Sequence, residues 1–130
     1  MQKSLKRLLI AFATLIFSLP SLALSIGEVT LSSKLGQPLK AQIPLSELND
    51  LQSDQIIVQH ASLKTYDKLK IERPAAFQTI RFAITAPNDQ GNITLSTREA
   101  VNEPYVRFLL HIRWPQGEML KEVTLLLDPA

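Results

Sequence analysis

From Val106 to Trp114 every even position is apolar: Val106, Phe108, Leu110, Ile112 and Trp114. Arg107, His111 and Arg113 take odd positions, and Leu109 breaks the rule. A period of two marks a strand with one buried face and one wet face. The same period recurs from Leu39 to Leu45, in Ile80–Thr85, in Ile93–Ser96 and in Val123–Leu127. Val29–Leu31 and Ile56–Val58 bring the total to about seven predicted strands. Pro44 interrupts its run without an N–H to donate, which predicts a sheet edge or a strand end there. Glycine and proline punctuate the runs. Pro87-Asn88-Asp89-Gln90-Gly91 and Pro115-Gln116-Gly117 each separate two alternating segments and read as hairpin loops. One segment has helical character: Ser62 as N-cap, then Leu63 to Leu69 with Tyr66 and Leu69 facing inward. The pattern predicts an all-β fold, an antiparallel β-sandwich of immunoglobulin-like size with about seven strands and one short helix.

The first 23 residues follow another pattern. Met1–Arg7 is basic, Leu8–Leu19 is apolar, and Ser21-Leu22-Ala23 puts small residues at the −3 and −1 positions of a cleavage site. This is the layout of a secretory signal peptide cut after Ala23. The apolar stretch is shorter than the roughly 20 residues a spanning helix needs, so an uncleaved membrane anchor is the alternative reading. Residues 24–130 then form one exported domain, and no spanning helix is expected after cleavage.

Charge changes meaning once the leader is set aside. The whole chain carries +2. Lys3, Lys6 and Arg7 supply that sign; without them eleven basic residues face twelve acidic ones, a net charge of −1. No basic surface for nucleic acid is expected. The absence of cysteine excludes a disulfide framework, a thiolate metal site, a cysteine nucleophile and a lipid-modified cysteine. His60 and His111 have no carboxylate at metal-ligand spacing. His111 lies on a polar strand face and reads as solvated. His60 shares a face with Val58 and reads as a partly buried, hydrogen-bonded histidine. No nucleophile elbow and no phosphate-binding glycine pattern occurs. Neither catalytic residues nor a cofactor is expected. Tyr105 begins the longest strand, and Leu109 and Leu126 break the alternation of theirs. These three form the candidate protein-binding surface, an exposed apolar patch unless a loop or the second sheet covers it.

Several strings carry a family resemblance: Leu35-Gly36-Gln37-Pro38-Leu39-Lys40-Ala41, Glu72-Arg73-Pro74, Arg98-Glu99-Ala100-Val101-Asn102-Glu103-Pro104, Trp114-Pro115-Gln116-Gly117 and Lys121-Glu122-Val123-Thr124-Leu125-Leu126-Leu127-Asp128-Pro129. In order and spacing, from about Leu24 to Pro129, the chain resembles the N-terminal periplasmic domain of the FimV/HubP family of Gram-negative bacteria. The resemblance implies a non-enzymatic periplasmic interaction domain tied to type IV pilus assembly, twitching motility or polar envelope organisation. Its expected partner is an envelope or pilus-machinery protein. A soluble chaperone-like accessory factor that binds a client strand is the alternative. No LysM segment follows in this sequence, so peptidoglycan binding is not expected. His60 stands where the family pattern has an apolar residue.

Overall fold

The computed structural model describes residues 24–87 and 89–130. The predicted leader, residues 1–23, and the cleavage site expected at Ala23 lie outside the described residues. The alternating runs become strands: β1 (Ser25–Ile26), β2 (Thr30–Leu31), β3 (Pro38–Ser46), β4 (Ile57–His60), β5 (Arg81–Thr85), β6 (Gly91–Ala100), β7 (Tyr105–Trp114) and β8 (Gly117–Leu126). The helix α1 spans Leu63–Leu69, preceded by a single 3-10 turn at Ser53–Gln55. The first sheet runs β1-β3-β6-β5, with β2 also paired to β3, and the second runs β4-β7-β8. Every pairing is antiparallel.

The inward rows of the two sheets make the core. Leu39, Ala41, Ile43 and Leu45 from β3, and Ile93 and Leu95 from β6, meet Val106, Phe108, Leu110 and Ile112 from β7 and Val123 and Leu125 from β8. Burying such rows is the main favourable term in folding. Where β3 and β6 slip register between Pro38 and Lys40, the buried Thr97 hydroxyl takes up the slack. It accepts from Leu39 N at 2.8 Å and donates to Glu99 O at 2.7 Å.

Three local expectations are corrected. Pro44 is neither at an edge nor at a strand end; it lies within β3, which has neighbours on both sides. The missing N–H is absorbed by breaking the neighbour instead. β1 and β2 form one interrupted strand along β3, and the interruption falls where Gly27 N donates to Pro44 O at 2.9 Å and no return bond can form. Leu69 is 50% exposed rather than inward. The helix stops at Lys70, which caps it in the left-handed conformation, and Ile71 turns back onto the core in its place. Trp114 is only partly buried; its indole sits at the core margin over the hairpin turn, against Gly117.

Candidate interaction surface

The outer face of the β4-β7-β8 sheet carries the odd residues of β7. Tyr105 stands directly opposite Leu126, so the two side chains share that face. Tyr105 is 52% exposed and Leu126 is 67% exposed. The next positions are polar and paired: Arg107 Nε meets Glu122 Oε1 at 2.6 Å, and His111 Nε2 meets Glu118 Oε2 at 2.9 Å. Exposed pairs of this kind add little stability, but they leave Tyr105–Leu126 as an apolar end beside a charged middle. At the other end of the same face Ile57 and Leu120 are also exposed. Sequence reasoning missed them, although Leu120 breaks alternation just as Leu126 does.

Leu109 does not join the surface. Its place in the strand faces outward, yet it is 3% exposed. The chain leaves β4 at His60 and stays beside β7 here: Ala61 N donates to Leu109 O at 3.0 Å. The Tyr66 hydroxyl accepts from Leu109 N at 2.7 Å and lies 3.3 Å from Leu109 O. Ser62 starts the helix as expected, its hydroxyl accepting from Thr65 N at 3.2 Å, and that start aims Tyr66 at β7. Burial pushes the Tyr66 phenol above its ordinary pKa, with the Leu109 backbone and Arg73 opposing. Tyr66→Phe orphans the buried Leu109 N–H, and we expect it to lower stability by about 1.5 kcal/mol in urea unfolding. A loss indistinguishable from zero would mean that the hydroxyl does not cap this strand.

A groove of about 370 Å³ opens beside Tyr105 and Arg107, walled by Glu103 and the segment Lys70–Pro74. A wider cleft of about 780 Å³ lies across that segment and includes Tyr66, Arg73 and Phe77. The Arg73 guanidinium stands 5.7 Å from the Phe77 ring centre.

His60 is partly buried as expected, but not hydrogen-bonded. It points between the sheets, stacks on Phe77 at 4.1 Å and meets Phe82 and Phe108 edge-on at 5.0 and 6.1 Å. Both ring nitrogens are buried without a hydrogen-bond partner. Burial lowers its pKa; the Phe77 backbone, close but outside hydrogen-bond geometry, opposes this in part. Among the described residues no cluster of three or more His, Asp or Glu could hold a metal ion, and no helix is long and apolar enough to cross a membrane.

Comparison with known proteins adds to this geometry. The family model described as the FimV N-terminal Ig-like domain matches residues 24–130. Two proteins named motility hub protein FimV, from two strains of Pseudomonas aeruginosa, are 38% identical over 121 residues. The match covers 92% of this chain and 13% of each relative, so the chain spans about an eighth of their length. No solved structure matches.

Proposed function

The chain belongs to the FimV N-terminal domain family, and from that premise we propose that it is a non-enzymatic, periplasmic protein-interaction domain serving type IV pilus assembly, twitching motility or polar envelope organisation. Its relatives are named as motility hub proteins, and a hub works through contacts. The leader supports export, with the periplasm as destination and an envelope or pilus-machinery protein as partner. The observation that carries the reading is the cross-strand pair Tyr105–Leu126, a large apolar contact presented to solvent on a rigid sheet. Exposed aromatic and aliphatic groups on a fixed frame are what protein interfaces use as anchors.

A photo-crosslinking amino acid at Leu126 tests this in living cells. The expected product is a discrete adduct with an envelope or pilus component. Tyr105→Ala should reduce it by about tenfold, as loss of one anchor does, while leaving thermal stability unchanged. Adducts that lack any envelope or pilus component, or that are indifferent to Tyr105→Ala, would sink the proposal.

A further inference from the structure

β7 is ten residues long, but β4 covers only part of it. The β4 register runs from Ile57 opposite Arg113 to His60 opposite Leu110. Beyond it the odd residues of β7 still direct their backbone groups toward the β4 side, because N–H and C=O of one residue point the same way in an antiparallel strand. Leu109 shows the direction: its N–H and C=O meet Tyr66 and Ala61 on that side. The hairpin agrees. Trp114 pairs with Gly117 across a two-residue turn, so the even residues of β7 bond to β8.

Arg107 and Tyr105 therefore aim two N–H and two C=O groups into the groove walled by Lys70–Pro74 and Glu103. Among the described residues none of these four groups has a backbone or side-chain partner on that side. Two residues further along β7, at Leu109, the Tyr66 hydroxyl stands in for the strand that has ended.

From this juxtaposition we infer that the groove beside Tyr105 and Arg107 receives an extended peptide segment of a partner protein, which continues the line of β4 and pairs with β7 by main-chain hydrogen bonds. The inference rests on the interaction-domain reading and gives it a docking mode. The lining holds Lys70, Arg73 and Arg107 against Glu72 and Glu103. Glu122, outside the groove, neutralises Arg107. The walls are thus balanced, and recognition falls to the backbone rather than to charge. Side chains of the incoming strand alternate between faces. Those on the outer face meet Tyr105, which calls for an apolar residue there. The free edge of β8 is a competing place in the same sheet. It is guarded by Glu118, Lys121 and Glu122, with Lys121 on the inward row and 3.6 Å from Glu28, which lies between β1 and β2. Inward charge on an edge strand discourages pairing.

Amide hydrogen exchange on the full chain tests the geometry first. Arg107 N–H is expected to exchange about 100-fold faster than its neighbours Val106 and Phe108, which bond to β8. Slow exchange at Arg107 in the free protein would overturn the inference, because the edge would already be paired. A phage-displayed library of random linear peptides is then selected on the protein. Selected peptides should slow Arg107 exchange by about tenfold, and N-methylation of alternate peptide amides should weaken binding by about tenfold. Failure to select any peptide, or peptides that leave Arg107 exchange untouched, overturns the docking mode alone. The interaction-domain reading fails separately, on the crosslinks from Leu126.

Discussion

Gly91→Ala is expected to lower the stability of this domain by about 3 kcal/mol, the upper end of what overpacking usually costs, because the site cannot yield. For a domain of this size the melting temperature falls by about 12 °C. A Cβ at Gly91 would stand 2.3 Å from Thr85 O and 3.0 Å from Ala86 Cα. Both are backbone atoms, so no side chain can swing away. Nor can β6 retreat, because Gly91 sits opposite Leu45 of β3 while the next residue, Asn92, is held opposite Thr85 of β5. Gly117→Ala is the control. Its nearest obstacle is the Trp114 indole at 3.3 Å, a side chain at the core margin with room to give. Urea unfolding of both variants, with unchanged denaturant dependence, measures the difference. Equal losses at the two glycines would show that the β5–β6 corner is not closed as described.

His60→Leu should do the opposite and stabilise the protein, by about 2 kcal/mol at neutral pH. A buried polar group without a partner carries a desolvation penalty of 1–3 kcal/mol, to order of magnitude, that an apolar side chain does not. The ring is enclosed by Phe77, Phe82 and Phe108, and neither nitrogen is hydrogen-bonded. Acid makes the contrast larger. Burial holds the folded-state pKa of His60 below the ordinary value of 6.5. The unfolded chain therefore takes up a proton first. The stability attached to neutral His60 is complete above pH 6.5, and it falls as pH drops from there through the lower folded pKa. His60→Leu should remove that part of the acid-side decline. Of the groups near the ring only the Phe77 backbone opposes the shift, and only in part; the Phe77, Phe82 and Phe108 side chains do not titrate. Stability curves for the wild type and His60→Leu that stay parallel from pH 7.5 to 5 would refute this account.

The alternation of apolar and polar residues carried most of the architecture. Seven of the eight strands, the helix with its Ser62 cap and both hairpins stand where the period and the turn residues put them. The family followed from strings whose order persists over the domain. The eighth strand, Ser25–Ile26, has two residues and no period to read; it exists because β3 offers it an edge. Pro44 misled for a related reason. Its missing N–H is a local fact, but whether the strand stops or its neighbour breaks depends on what lies alongside.

The candidate surface divides the same way. Tyr105 and Leu126 are individually visible as exceptions to alternation. Their meeting depends on the β7–β8 register, which the two-residue turn at Pro115-Gln116 sets. Leu109 is an equal exception in sequence, yet it is buried, where Ala61 and Tyr66 close on its backbone. By itself the sequence determined the sandwich, its inward rows, its turns and its family, because period, capping and turn chemistry act between residues close in the chain. The tertiary structure alone decided which outward apolar groups stay exposed, which histidine lacks a partner and where β7 outruns β4. Those outcomes depend on contacts between residues tens of positions apart, and no local pattern encodes them.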